Sequence, residues 1–413
     1  MDFQLSEFQR DLVAATRDLA RGRFATRAYT WEDADGLPRE YLALLAKHGL
    51  AGITIPVDDG GQGGKLLDAV LVIEAVAQIC PAAGDCVQAL NFGAIQQLAR
   101  HGSPELKARY LAPCLRGERL ITIAMTEPEA GSAVTDLRSR GRVEGDTVVL
   151  NGQKIFTTNG DTADYFVVWV RFGESSRTSG AVLVERAAPG FTIDASHRFV
   201  SGERYGMLYF DECRVPAANV LLPEDGFRKM LAVFNVERLG NAARSLALGQ
   251  AAFDLALDYA RERRQFGRRL AEFQGLQWRF AEMKLQLEGA RLLLYRAAAN
   301  ADAGLPSALE TSLAKLACNR AGFEVANSAL QIFGGYGYDH EAAVNYLFRR
   351  TRGWMIAGGT VEQMLNRIAS EVFGENFSQR PPRPQEPPAR TPSPVEPPPP
   401  GAPARPEEPT RPR

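Results

Sequence analysis

The sequence predicts an α+β protein in which a β-domain is inserted between two helical parts and a disordered, proline-rich tail follows. Three observations carry that reading. Apolar residues recur at helical spacing up to about residue 118 and again from about 226 to 376. Between them, from about 119 to 225, the pattern gives way to short β-branched runs bounded by turns. Finally, 15 of the 25 prolines lie between Pro381 and Pro412, where apolar residues almost vanish. The divisions expected are therefore 1–118, 119–225, 226–376 and 377–413.

In the first part, Leu66 through Ile73 and on to Cys80 carry an apolar helical pattern. The preceding Asp59-Gly60-Gly61-Gln62-Gly63-Gly64-Lys65 only superficially resembles a phosphate loop. Leu66 stands where a Ser or Thr would reach Mg²⁺ and no buried strand precedes it, so a surface loop is expected. In the second part, Thr147–Leu150, Phe166–Val170 and Ala181–Val184 read as strands, and Asn151-Gly152 signals a hairpin. In the third, Leu239–Arg263 and Phe273–Ala299 read as long helices. The tail cannot bury enough apolar surface to offset its ordering entropy. Its PxxP spacings, Pro394 to Pro397 and Pro403 to Pro406, suit an aromatic groove, but a passive solvated tail is the better reading.

Composition excludes several classes. Lys+Arg number 48 against 49 Asp+Glu, a net charge of −1, which speaks against a nucleic-acid binder. No apolar run approaches the ~18–20 residues of a membrane span. The start, Met1-Asp2-Phe3-Gln4, lacks a signal-peptide pattern, and five cysteines without a CxxC pair fit a reducing cytoplasm. Four histidines without a second ligand at metal spacing speak against a metal site. No GxSxG elbow or Cys–His arrangement supports acyl-enzyme hydrolysis.

The informative segment is Ile123-Ala124-Met125-Thr126-Glu127-Pro128-Glu129-Ala130-Gly131-Ser132. A strand delivers a hydroxyl, then a proline turn, then small residues whose free amides suit anionic oxygen. This stretch resembles the flavin-binding signature of the acyl-CoA dehydrogenases. The likeness continues through Asn151–Gly160 (NGQKIFTTNG), Arg263-Arg264-Gln265-Phe266-Gly267 and Gln331–Tyr338 (QIFGGYGY), in family order over nearly all of residues 1–376.

The resemblance implies an acyl-CoA dehydrogenase-like fold: an N-terminal helical domain, a middle β-barrel or sandwich and a C-terminal four-helix bundle. It also implies FAD. Thr126 would meet the polar edge of the isoalloxazine, with Ile123, Ala124, Met125 and Ser132 lining the ring and phosphate. Phe156, Thr157 and Thr158 would cover its other side. Arg263, Gln265, Phe266 and Gln274 would serve the pyrophosphate and adenosine region of a neighbouring subunit's cofactor, implying a homotetramer or dimer. Gln331, Gly334, Gly335, Thr360 and Glu362 would complete the cofactor set. Ser132, Asn235, Arg238 and Gly359 would touch substrate.

Two departures from the family pattern matter. Ala133 replaces the usual Asp after Gly131-Ser132, removing a local cap. More important, Gly358 occupies the place of the common catalytic Glu before Gly-Thr. A subset, including isovaleryl-CoA and long-chain acyl-CoA dehydrogenases, carries its base elsewhere, and Glu237-Arg238-Leu239 resembles that relocated arrangement. The plain alternative is an early-helix glutamate favoured by the macrodipole.

The reaction implied is removal of an α-proton by Glu237 while a β-hydride leaves to flavin N5, giving a trans-2-enoyl thioester. The Gly358 amide would help hold the thioester carbonyl. An electron-transfer flavoprotein would be the electron acceptor. The rival expectations are a dehydrogenase or oxidase of carrier-tethered acyl groups, and a non-catalytic flavoprotein scaffold.

Overall fold

The computed structural model describes residues 4–29, 36–173, 178–223, 226–301 and 305–377. Apart from Phe377, the expected tail lies outside them. On composition alone, deleting residues 379–413 is expected to leave the unfolding midpoint unchanged. A shift of several degrees in a thermal melt would show that the tail docks on the body.

The first part is helical. α1 (Glu7–Arg23) opens on a capping box, in which Ser6 Oγ accepts from Gln9 N and Gln9 Oε1 accepts from Ser6 N. It is followed by α2 (Arg39–Lys47), α3 (Leu66–Ala77), α4 (Pro81–Asn91), α5 (Ala94–His101), α6 (Pro104–Leu106) and α7 (Ala112–Leu115). α3 is buried on nearly every face and apolar except for Asp68 and Glu74, which are hydrogen-bonded, the pattern of a helix enclosed by others. Gly60–Lys65 forms the expected loop ahead of it.

The middle is one mixed sheet. Its strands are β1 (Ile121–Ala124), β2 (Arg140–Glu144), β3 (Thr147–Thr158), β4 (Tyr165–Arg171), β5 (Ser179–Glu185), β6 (Phe191–Asp194), β7 (Tyr205–Pro216) and β8 (Val220–Leu222). The order is β6-β7-β3-β2-β4-β5-β8, with β1 parallel to β4. The hairpin expected at Asn151-Gly152 is absent: β3 runs straight through it, and the chain turns at Gly145-Asp146 instead. The reason lies across the sheet. Asn151 Nδ2 donates to Glu212 Oε1 at 2.7 Å and its Oδ1 accepts from Glu212 N at 2.9 Å, while the β3–β7 register shifts between Leu150 and Gly152. The pair of residues makes a bulge, and Gly152, at φ 138°, passes close to Ser139.

The last part returns to helices: α8 (Gly226–Glu262), a small hairpin of β9 (Arg264–Gln265) and β10 (Arg268–Arg269), then α9 (Gln274–Ala299), α10 (Ala308–Phe333), α11 (Gly335–Tyr338), α12 (Ala343–Trp354) and α13 (Val361–Phe373). Buried polar ties join the three parts. Asp85 of α4 accepts from Arg244 of α8 at 2.5 Å and from Arg350 of α12 at 2.6 Å. Arg350 also pairs with Glu203 from the segment between β6 and β7. Trp169 of β4 donates to Gln97 of α5 at 3.3 Å and meets Phe227 and Phe234 of α8 edge-on.

Candidate active site

Three clusters gather the residues singled out in the sequence. The first lies where β1 meets the end of β3. The Thr126 carbonyl accepts from Ile155 N at 2.9 Å, and Thr122 Oγ1 donates to the Thr158 carbonyl at 2.7 Å, so the two motifs are stitched together. Between Lys154 and Thr157 the β3–β7 register shifts again, and Phe156 adopts φ 58°. That bulge turns the Phe156 ring outward, 51 % exposed, beside Tyr205 and Phe199. It leaves Thr157 buried with its hydroxyl unpartnered. Ile123, Met125 and Thr126 are partly buried and Ala124 is fully so, while Ser132 and Thr158 are exposed. Ala133 leads into a short 3₁₀ turn, Val134–Asp136, without a side-chain cap, as its departure from the family pattern suggests.

Under this cluster sits a buried ion pair between the two motifs. Lys154, fully buried, donates to Glu127 Oε1 at 2.7 Å and to the Met125 carbonyl at 3.2 Å. Glu127 also accepts from the backbone N–H groups of Arg138 and Ser139, at 2.5 and 3.0 Å. Burial pushes the Glu127 carboxyl up, but Lys154 and these donors outweigh it and hold the group low. Burial holds Lys154 down to about 8 against the pull of Glu127. The pair fixes the backbone on both sides of Thr126.

The second cluster lies at the far end of α8. Arg263 lies over the Tyr336 ring at 5.4 Å, and Tyr259 stacks on Phe333 at 4.2 Å, bringing Arg263 beside Gly334-Gly335. Gln265, Phe266, Gln274 and Gln331 are exposed around it. A Cβ added at Gly334 or Gly335 would meet nothing within 4 Å, so the turn is an open shelf. Among the described residues no hydrogen bond, ion pair or ring contact joins this cluster to the first.

The third cluster gathers the candidate base Glu237 and Gly358. Glu237 lies about three turns inside α8, which begins at Gly226, so the early-helix macrodipole argument does not apply. Its carboxylate accepts from Asn241 Nδ2 at 3.4 Å, one turn along the same face, and a Cβ at Gly93 would stand 2.6 Å from Glu237 Oε2. Asn241 Oδ1 in turn accepts from Arg244. Burial pushes the Glu237 carboxyl above its ordinary value; Arg244, Gln88 and Asn241 pull the other way and do not cancel it.

Gly358 faces the same asparagine. A Cβ there would stand 2.9 Å from Asn241 Nδ2, so Asn241 sits between the two candidate base positions. Arg238 Nε donates to the Gly358 carbonyl at 2.9 Å and Arg238 Nη1 to Asn235 Oδ1 at 2.9 Å. Gly359 lies against the same guanidinium. Thr360 caps α13, its hydroxyl accepting from Gln363 N at 3.4 Å, and Glu362 in the first turn is exposed. Asn241 and Arg244 were missed in the sequence, although their spacing of four and seven from Glu237 places them on one helix face.

The donor set fits a flavin dinucleotide. An unpartnered buried hydroxyl at Thr157, an outward aromatic wall at Phe156 and an arginine beside an open glycine shelf match the ring and the pyrophosphate in turn.

Fold and site together define a flavin-dependent oxidoreductase, and comparison with known proteins places it. Family models for the acyl-CoA dehydrogenase N-terminal, middle and C-terminal domains match residues 6–118, 122–213 and 224–373. The chain is 36% identical to a 3-sulfinopropanoyl-CoA desulfinase of Paraburkholderia xenovorans (strain LB400), over 92% of this chain and 99% of that one. It is 32% identical to a short-chain-specific acyl-CoA dehydrogenase of Clostridium acetobutylicum, over 90% and 100%. It superposes with a TM-score of 0.85, at 25% identity, on a glutaryl-CoA dehydrogenase from Mycobacterium smegmatis in complex with FADH2, covering 90% of this chain and 96% of that one. The chain belongs to the acyl-CoA dehydrogenase family, FAD-dependent oxidoreductases acting on the CH–CH bond of acyl-CoA thioesters.

Proposed function

We propose that this chain dehydrogenates an acyl-CoA between its α and β carbons with Glu237 as general base, the relocated-base arrangement. The observation that carries the reading is the convergence of Glu237 and Gly358 on Asn241. A carboxylate whose pKa is raised by burial is a competent proton acceptor near neutrality. The Gly358 N–H donates to the thioester carbonyl, so the charge that develops on its oxygen as the α-proton leaves is met by a fixed dipole. Arg238, braced by Asn235 and the Gly358 carbonyl, holds the acyl group against the base. FAD, when bound, supplies the acceptor for the β-hydride. Thr126, Phe156, Thr157 and Thr158 hold its ring, and Arg263, Gln265, Phe266, Gln274, Gln331, Gly334, Gly335, Thr360 and Glu362 its remainder.

Anaerobic titration of the purified yellow protein with a panel of CoA esters tests this, with carrier-bound acyl groups as the second arm. A CoA ester should bleach the flavin. Desulfination of a CoA ester without bleaching, the reaction named for the Paraburkholderia relative, is the outcome that overturns the reading.

The assembly proposed is a homotetramer or dimer sharing its cofactor sites, with an electron-transfer flavoprotein as electron acceptor and the cytoplasm as compartment. Among the described residues no helix is long and apolar enough to cross a membrane. Phe266 is 93% exposed at the hairpin tip with φ 50°, and Trp278, Leu285 and Leu292 stand exposed at seven-residue spacing along α9. Such a stripe suits a second copy. Arg263→Ala is expected to lower FAD retention and the oligomeric state together, read by flavin absorbance per chain and light scattering. Full flavin content with unchanged assembly would refute the shared site.

A further inference from the structure

The turn between α12 and α13 is held from behind by three side chains that the reaction above does not use or uses only in part. Lys315 of α10, 0% exposed, donates to the Gly359 carbonyl at 2.9 Å and to the Trp354 carbonyl at 3.3 Å. Asn319, one turn further along α10, donates to the same Trp354 carbonyl at 2.5 Å, and Arg238 takes the Gly358 carbonyl. Both glycines are in the left-handed region, at φ 70° and 96°, where a side chain would be strained. The Trp354 and Gly359 carbonyls bracket Gly358, so Lys315, with Asn319, ties down both ends of the segment that carries the Gly358 amide. Among the described residues the N–H groups of Gly358, Gly359 and Thr360 find no acceptor.

Lys315 is an unusual choice for this task. Among the described residues it has no ion-pair partner, and burial together with the nearby Arg238 guanidinium holds its pKa down to about 7. A buried amine without a counter-ion costs stability, and a neutral side chain could brace two carbonyls more cheaply. Its Cε lies 3.4 Å from where a Gly358 Cβ would stand, so it also packs against that glycine.

We propose that Lys315 is a positioning residue for the reaction: it clamps the Gly358-Gly359 turn so that the Gly358 N–H keeps its aim on the thioester carbonyl. The proposal rests on the assignment of that amide to the carbonyl. Loss of the clamp lets the two glycines relax, so the transition state suffers more than the ground state.

The test uses the holoenzyme and two variants, Lys315→Met, which keeps length and loses the donors, and Lys315→Gln, which keeps one donor group. Flavin content, the dissociation constant for an enoyl-CoA, the infrared carbonyl band of that bound enoyl-CoA and the maximal rate of flavin reduction are read for each. Lys315→Met is expected to bind FAD and enoyl-CoA within about threefold of wild type. Its flavin reduction should slow by about tenfold or more, below the ~10²–10³ of a directly lost oxyanion donor, and the carbonyl band should shift back toward its position in water. Lys315→Gln should fall between. Wild-type rates and an unshifted carbonyl band in either folded variant overturn the proposal. Failure of both variants to accumulate as yellow folded protein assigns Lys315 to stability alone and overturns it as well. If the wild-type enzyme itself is not bleached by any CoA ester, the parent reading fails first, and the two failures are told apart.

Discussion

Glu237→Gln is expected to leave FAD content and enoyl-CoA binding within about threefold of wild type while slowing flavin reduction by at least ~10²-fold, the scale of a lost general base. Glutamine keeps the contact with Asn241 and the shape beside Gly93, but cannot take the α-proton. The wild type should also show an acid limb in its rate–pH profile. Because burial raises the Glu237 pKa, the carboxylate is lost on acidification at a pH above the usual carboxylate range, so the rate rises with pH through that value. The glutamine variant should lose this limb. Undiminished flavin reduction in the variant, with a substrate that bleaches the wild type, would remove Glu237 from the mechanism. Adding Gly358→Glu should recover only a small part of the loss. The new side chain would start 2.9 Å from Asn241 Nδ2, at φ 70°, and so must displace the residue that lies between the two positions.

Lys154→Met should destabilise the protein by about 3–5 kcal/mol, the cost of leaving one member of a buried ion pair alone. Glu127 would keep its two backbone donors but lose its cation in a site closed to water. The damage should spread to the flavin, because Lys154 also holds the Met125 carbonyl, one residue from Thr126. The double variant Glu127→Gln with Lys154→Met should be milder than Lys154→Met alone, since no charge is then stranded. Chemical denaturation of the holoenzyme, followed by tryptophan and flavin fluorescence together, measures both effects. A single variant within 1 kcal/mol of wild type would show that the pair is not the anchor of the loop.

The helix–sheet–helix order was legible in the sequence because burial imposes periods of 3.6 and 2 that survive without knowledge of any partner. The stretch Ile123–Ser132 stood out for a related reason. Free amides, hydroxyls and small residues in one short stretch are chemically unusual wherever they occur, and the family likeness supplied their roles. What escaped was set by distant partners. Asn151-Gly152 carries a strong local turn preference, yet Glu212, 61 residues away, takes the asparagine side chain and makes it a bulge. Nothing in the sequence marks Lys315 until the Gly359 carbonyl, 44 residues on, is placed against it. For Glu237 the helix start, three turns upstream at Gly226, was not legible, so the early-helix reading of this residue gives way to a carboxyl governed by burial and Asn241.

Asp85, shared between Arg244 and Arg350 with Glu203 beyond, bears on how far the chain can be treated as modular. A chimera with a relative could be cut at either boundary of the sheet. Here each such cut would separate members of one buried charge chain: an acid from the first helices, a second acid from the middle part and two guanidinium groups from the last helices. A chimera that imports only one of these parts must therefore import a matching charge at every buried position, or carry a stranded ion into its interior. The helical parts and the sheet of this protein are accordingly expected to be exchanged as a unit, and to resist being shuffled separately.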